Sequence, residues 1–325
     1  MKQYSILTLC LMPFILFVLS GCGTNQQTPL SANGFYLNTL ISITVYDDCN
    51  EDILTECFAL CEKYENMFSA TIEGSDVYRI NHAGGAPCVV SDETIELLLL
   101  SLEYAELTDG IVDPTIYPVS SLWNFSSGEA IVPQASAIAE ALSCVDYRCI
   151  QIDQNTVTLT DNRAAIDLGF IAKGYIGEKI KEYLLSAGVE NALINLGGNL
   201  LTMGSKPDGS LYRIGIEMPF RPGESAGDFT LTDCSIVTSG VYERCFETEG
   251  ILYHHLIDTS TGYPCENGLL GVTIFHPDSA IADALSTTCF LLGAEEGLAL
   301  IEETEDAEAL FILSDYTIIK SSGLQ

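Results

Sequence analysis

The turn Gly197-Gly198-Asn199 constrains this 325-residue chain more than any other feature of it. It separates two short apolar segments, 192–196 and 200–203, that read as strands. So short a connection joins antiparallel neighbours, because parallel strands need a crossover of a dozen residues or more. Segments 236–246 and 252–257 repeat the pattern, closed by Glu249-Gly250. Further strands are expected at 34–46, 157–159, 165–168, 212–217 and 270–275. Helical spacing marks 51–67, where Ile53, Leu54, Phe58, Cys61, Tyr64 and Met67 share a face. Ser91 caps a helix over 95–107 that Gly110 closes, and Asp278 caps one running to 292. Helices are also expected at 133–142, with Pro133 near its start, and at 171–187, ending at Gly188. Helices mixed with hairpins predict an α+β fold of mixed, largely antiparallel sheets with packed helices, not a doubly wound α/β fold.

Ahead of this pattern lies an apolar run, 6–19, broken only by Thr8, Cys10 and Pro13, behind the single charge of Lys2. It ends in Leu19-Ser20-Gly21-Cys22. The run is shorter than the ~20 residues of a spanning helix and carries a small-residue cleavage site, so 1–21 reads as a signal peptide. A cysteine directly after Leu-Ser-Gly resembles the bacterial lipobox, whose thiol is diacylated. On this reading Cys22 is lipidated and holds the protein on the extracytoplasmic face of the cell membrane. Residues 22–33 form the lipidated tether, and 34–325 form one domain.

Cleavage removes Lys2 and no acid, which takes the formal charge from −32 to −33. So acidic a surface argues against nucleic acid, or an anionic membrane face, as a partner. Of twelve cysteines, Cys10 leaves with the signal and Cys22 takes lipid. The other ten include no CxxC pair and no Cys/His cluster at zinc spacing. They read mostly as small core residues, with Cys57 and Cys61 on one helix face.

Four stretches carry residues that folding alone does not demand. Thr108-Asp-Gly-Ile-Val-Asp113-Pro-Thr-Ile-Tyr-Pro118 is a helix end running into a Pro-rich loop, with one carboxylate in an apolar setting. Ala165-Ile-Asp167-Leu-Gly-Phe170-Ile-Ala-Lys173 turns from a short strand into a helix. Free backbone N–H groups there, with Lys173 beside them, favour an anionic ligand. The third stretch, Thr238-Ser-Gly-Val-Tyr242-Glu-Arg244, is followed by Tyr253-His254-His255-Leu-Ile-Asp258. Adjacent strand side chains face opposite ways, so only one imidazole enters any one site, where it can serve as a base near neutral pH. In the fourth, Asp283 and Thr287 lie one helical turn apart beside small residues, a pairing that suits a hard cation such as Mg²⁺. Asp283 is expected at a cleft edge and not in the core.

In this order the stretches resemble the ApbE family of FAD:protein FMN transferases, over nearly the whole mature chain. The most specific matches are Asp167-Leu-Gly with Ala-Lys173-Gly, Asn195-Leu-Gly-Gly-Asn199, Ser239-Gly with Tyr242-Glu-Arg244, and His255-Leu-Ile-Asp258 with Thr261-Gly262. The resemblance implies an ApbE-like, T-fold-related domain. It implies one Mg²⁺ held by the Phe170 carbonyl, Asp283 and Thr287. It places flavin contacts at Leu37, Thr71, Ile111, Val112, Asp113, Asp167, Lys173 and Ile257, and a catalytic base at His255. The implied reaction transfers FMN from FAD to a Thr or Ser hydroxyl with release of AMP. The acceptors are extracytoplasmic flavoprotein subunits of membrane electron-transport complexes that carry a D-x-x-[ST]-G-A-[ST] motif. Three positions depart from the pattern: Phe170 stands for Gly or Ala, Tyr117 for Gly, and Ala70-Thr71 lacks an aromatic. Two rival functions use the same site, a Mg²⁺-dependent FAD pyrophosphatase giving FMN and AMP, and a flavin-binding lipoprotein without chemistry.

The lipobox yields the first prediction. Cys22→Ser releases the protein from membranes, because the acyl chains are its only hydrophobic attachment once the signal is cut. A mutant that still sediments with membranes after signal cleavage refutes the lipid anchor.

Overall fold

The computed structural model describes residues 28–125 and 130–324. The expected signal peptide, the expected lipidation site Cys22 and the start of the expected tether lie outside the described residues. Among those described, no helix is long and apolar enough to cross a membrane.

The chain begins with a hairpin, β1 (Leu30–Tyr36) and β2 (Thr39–Val45). Helices α1 (Asp52–Phe68) and α2 (Asp76–Asn81), strand β3 (Cys88–Val89) and helix α3 (Asp92–Leu107) follow. Next come α4 (Tyr117–Trp123), α5 (Ala135–Leu142), and a hairpin of β4 (Ile150–Asp153) and β5 (Thr156–Leu159). Helix α6 (Ala172–Ser186) leads to β6 (Ala192–Asn195) and β7 (Asn199–Met203). A ribbon of β8 (Tyr212–Glu217) and β9 (Ser225–Leu231) precedes β10 (Cys234–Gly240). A second ribbon, β11 (Cys245–Thr248) and β12 (Ile251–His254), precedes β13 (Leu269–His276). The chain closes with α7 (Ser279–Leu292), α8 (Ala294–Glu303), β14 (Glu308–Leu313) and β15 (Ile318–Lys320).

Eight strands form one sheet in the order β1-β2-β6-β7-β10-β13-β14-β15, with every neighbouring pair antiparallel. The expected α+β class is therefore found. The Gly197-Gly198 turn behaves as its sequence requires: both glycines have positive φ (65° and 93°), and Leu196 N–H donates to the Asn199 carbonyl at 2.7 Å. Alternation splits the sheet into two faces. Val237, Ile274 and Phe311 pack with α1, α6 and α7, while Ile236, Phe275, Leu310 and Ile312 pack under the β8–β9 ribbon. Cys57 and Cys61 are fully buried in the first of these cores, and the ten described cysteines are free thiols. A third, smaller cluster of Val119, Trp123, Ile138 and Ile257 joins α4 and α5 to the β11–β12 ribbon.

Several sequence expectations are corrected. Segment 34–46 is a hairpin and not one strand, because Leu37 and Asn38 take left-handed φ (55° and 56°) and reverse the chain. Residues 30–33, read as tether, belong to β1. Segment 165–168 is no strand: one isolated parallel bridge joins Ala165 to Ile116, and Asp167 N–H donates to the Pro114 carbonyl at 2.8 Å. Segment 236–246 breaks after Gly240, where the Tyr242 ring folds back over the backbone. The Pro-rich loop continues into α4, with Pro118 in its first turn. The caps at Ser91 and Asp278 are as expected, accepting from Thr94 and Ile281 N–H.

The contact that positions the site is between α6 and α7. A Cβ on Gly174 would lie 2.2 Å from the Ser279 carbonyl oxygen and 2.5 Å from Asp283 Cβ. One at Gly177 would lie 3.1 Å from Ser279 Oγ. Two glycines on one face thus let α6 press against the start of α7. Gly174→Ala should cost roughly 3 kcal/mol, since the clash is with backbone that cannot rotate away. The midpoint of urea unfolding measures it; an unchanged midpoint refutes the close contact.

Candidate active site

A cavity of about 890 Å³ lies where the four stretches meet. The β1–β2 turn contributes Asn38 and Thr39, and Thr71 follows α1. Ile111, Val112, Asp113 and Ile116 line one wall with Tyr117 and Ser120 of α4. Asp167, Phe170 and Lys173 come from the start of α6, Gly197 and Gly198 from the β6–β7 turn. Thr238 to Ile257 supplies Ser239, Tyr242, Glu243, Arg244 and His255, and α7 supplies Asp283 and Thr287.

All but one of the expected flavin contacts line this cavity. The exception is Leu37, which donates its N–H to Glu65 Oε1 at 3.0 Å, while the next residues, Asn38 and Thr39, line the wall. Asp113 reaches the wall with its carboxylate already engaged. Oδ1 accepts from Thr115 N–H (2.7 Å) and Oγ1 (2.6 Å), and Oδ2 accepts from Tyr147 N–H (2.9 Å). It shapes the loop that presents Ile111 and Val112. Asp167 accepts from Gly169 N–H at 2.9 Å and from Ser120 Oγ at 3.3 Å, which ties α4 to the approach of α6.

Asp283 is not at a cleft edge. It is 3% exposed, and Oδ2 accepts the Gly174 N–H at 2.7 Å. Burial pushes its carboxyl up to about 6, against the pull of Lys173 and of the Gly174 and Lys173 amides. The close α6–α7 contact explains the correction. That hydrogen bond has a second effect. The Gly174 N–H would otherwise close the first helical turn onto the Phe170 carbonyl, which now accepts no hydrogen bond among the described residues. Thr287 also departs from its neighbours. Ser286 and Thr288 bond back to carbonyls of their own helix at 2.8 Å, whereas Thr287 Oγ1 lies 3.2 Å from Ser239 Oγ.

A free carbonyl, a carboxylate and a hydroxyl are hard oxygen donors. No group of three or more His, Cys, Asp or Glu among the described residues could hold a metal ion. The donor set therefore fits a cation that keeps waters and takes ligand phosphate, as Mg²⁺ does, and not a caged structural metal.

The charge around these donors is poised for an anion. Lys173 Nζ reaches the Gly197 carbonyl at 3.4 Å, and neither Lys173 nor Arg244 forms an ion pair among the described residues. Both cations, with burial first, depress His255 to about 3. Burial raises Glu243, while Lys173 and Arg244 oppose the rise. His255 donates its backbone N–H to the Arg244 carbonyl at 3.0 Å, and its Nδ1 is buried without a partner. His254 faces away, as strand alternation requires. It is 5% exposed and meets the Phe290 ring edge-on at 5.9 Å.

Sequence reasoning gave no role to Ser120, Glu243 or Arg244, or to the turn at Asn38. The Tyr-Glu-Arg run was noticed, but its direction depends on the break after Gly240. Ser120 faces the cavity because α4 is a helix and not a loop, and Pro118 in its first turn is the sequence signal for that helix.

The sequence pattern that defines the ApbE family matches residues 37–311. A FAD:protein FMN transferase of Treponema pallidum is 37% identical over 332 residues, covering 95% of this chain and 92% of that protein. One from Klebsiella pneumoniae is 35% identical over 277 residues, covering 84% and 86%. Among solved structures, the ApbE protein of Thermotoga maritima superposes with a TM-score of 0.85 at 32% identity, covering 91% of this chain and 98% of that one. The flavin transferase ApbE from Vibrio cholerae gives 0.81 at 27% identity, covering 91% and 98%.

The imidazole of His255 should stay neutral in the ligand-free protein down to about pH 3. Its folded value lies below the ordinary 6.5, so the stability it contributes is complete above that pH and declines as the pH falls. Nitrogen chemical shifts of His255 at pH 5 measure this. A protonated ring at that pH refutes the desolvated, cation-flanked setting.

Proposed function

Since the chain belongs to the ApbE family, we propose that it is a Mg²⁺-dependent FAD:protein FMN transferase, moving FMN from FAD onto a protein hydroxyl and releasing AMP. The observation that carries this reading is that cations without an ion pair among the described residues share one cavity with free oxygen donors. Lys173 and Arg244 line the same cavity as Phe170, Asp283 and Thr287, with Ile111, Val112 and Ile257 as its apolar wall. That combination suits a dinucleotide, with a charged diphosphate and flat apolar rings.

Phosphoryl transfer asks a protein mainly for positioning and charge neutralisation. Mg²⁺ held by Asp283, Thr287 and the Phe170 carbonyl would neutralise the diphosphate and the departing phosphate oxygen. Lys173 and Arg244 orient the diphosphate and offset its charge. The acceptor oxygen bonds to the phosphorus on the FMN side as the bridging P–O bond breaks, and that electron pair leaves with AMP. The acceptor's proton goes to the unpartnered Nδ1 of His255, which is neutral and able to accept it. The diphosphate's negative charge offsets Lys173 and Arg244, so His255 becomes a stronger base once FAD is bound.

The acceptor is a Thr or Ser in a D-x-x-[ST]-G-A-[ST] segment of extracytoplasmic electron-transport flavoproteins. A lipid on Cys22 keeps enzyme and acceptor on one membrane face. With water in place of the hydroxyl, the same site hydrolyses FAD to FMN and AMP, and the following assay separates the two outcomes.

Purified protein is incubated with FAD and Mg²⁺, with and without an acceptor, and AMP and flavinylated protein are measured. Asp283→Asn keeps the volume and an acceptor for the Gly174 N–H, and should still lower both products about 100-fold or more. Thr287→Ala should lose about tenfold, since water can fill a neutral ligand position. Chelation should abolish activity, and Mg²⁺ should restore it. Folded Asp283→Asn protein with wild-type turnover refutes the metal site. AMP without flavinylated acceptor leaves hydrolysis as the activity, and FAD binding without AMP leaves a carrier.

A further inference from the structure

The turn of the β8–β9 ribbon, 218–224, touches the cavity lining through one residue, Phe220, which it presents against its conformational preference. Phe220 has φ 58°, a left-handed conformation that bulky side chains avoid. Its ring is 52% exposed. The turn is held firmly around it. Met218 N–H donates to the Glu224 carbonyl at 2.9 Å, Arg221 N–H to the Met218 carbonyl at 3.1 Å, and Glu224 N–H to the Arg221 carbonyl at 3.0 Å. The Arg221 guanidinium lies 3.5 Å over the Tyr316 ring. A bulky aromatic kept strained and exposed points to a use outside the fold.

Among the described residues Phe220 has one aromatic neighbour, and that neighbour belongs to the site. Its ring meets Tyr242 edge-on, centroids 6.2 Å apart at 80°. Tyr242 lines the cavity and is itself 36% exposed. Its ring folds over Gly240, where a Cβ would lie 2.4 Å from Tyr242 Cε1. The missing side chain at Gly240 sets Tyr242 as the wall, and Phe220 extends that wall outward into solvent. The two rings make one apolar ledge continuous with the cavity.

We infer that the Phe220–Tyr242 ledge is the docking surface for the acceptor polypeptide, with Phe220 contacting the chain that flanks the reacting hydroxyl. This rests on the transferase reading. A hydroxyl on a short side chain reaches the phosphorus only if its own main chain lies across the cavity mouth. Phe220 touches the cavity lining and is not part of it, so it meets the acceptor and not FAD. Aromatic anchors that bury on association dominate such contacts.

The test uses full-length protein in detergent, FAD, Mg²⁺ and a carrier protein bearing an Asp-x-x-Thr-Gly-Ala-Thr segment. Phe220→Gly removes the ring and suits the left-handed backbone, so the fold is retained. The acceptor KM should rise about tenfold. FAD affinity, read by flavin fluorescence, should not change. Phe220→Tyr should restore the KM. An unchanged KM in Phe220→Gly overturns the ledge, as does a parallel loss of FAD affinity, which would make Phe220 a support of the cavity. A wild-type protein that flavinylates no carrier overturns the transferase reading and the ledge with it. Wild-type flavinylation matched by Phe220→Gly overturns the ledge alone.

Discussion

The hydrogen bond from the Gly174 amide to Asp283 organises the whole site. It exists because Gly174 has no side chain, so α6 and α7 approach until the carboxylate of one meets the first turn of the other. Taking that amide for Asp283 withholds it from the Phe170 carbonyl. A single missing Cβ therefore buries the anion, orients it and frees a neighbouring oxygen. Asn199 secures the same junction from the sheet side, its Oδ1 accepting from Ser279 Oγ at 3.1 Å. The oxygen donors are fixed by backbone packing, which is stiffer than side-chain rotamers.

Charge within the site runs against charge on the surface. The chain carries 45 acids against 13 Lys and Arg, yet two of those few cations line the cavity without an ion pair among the described residues. Each opposes the protonation of the groups near it: it adds to the burial that keeps His255 neutral, and it works against the burial that raises Glu243. An anion entering would satisfy both cations together. The acidic exterior also means that an anionic ligand is drawn in by local geometry and not by the protein's long-range field.

Much of this was legible in the sequence. Short glycine turns forced antiparallel pairing, apolar periodicity placed α1 and α6, and Ser91 and Asp278 marked helix starts. The four chemistry-bearing stretches do converge. What escaped the reading depends on residues acting outside their usual habits or on contacts distant in the chain. Leu37 reverses the chain in a conformation that leucine seldom adopts, so a hairpin read as a strand. Asp283 looked exposed because helical spacing cannot reveal a glycine 109 residues earlier. Strand β14 carries an unbroken apolar run, Ala309 to Leu313, with no period by which to distinguish it from a buried piece of helix.

The eight-stranded sheet has a property that its order makes plain. From one edge to the other the strands follow the chain, so each can pair with one already made. A chain delivered from its N-terminus could build this sheet progressively, with no strand threaded between two others. The helices and ribbons between strands are excursions from that line, free to differ in length while the register beneath them holds. The site is assembled from those excursions, and its last oxygen donors arrive on α7, after six of the eight strands. A partly delivered chain thus holds six of the eight strands before Asp283 and Thr287 arrive, and the cavity is complete only once α7 has packed on α6.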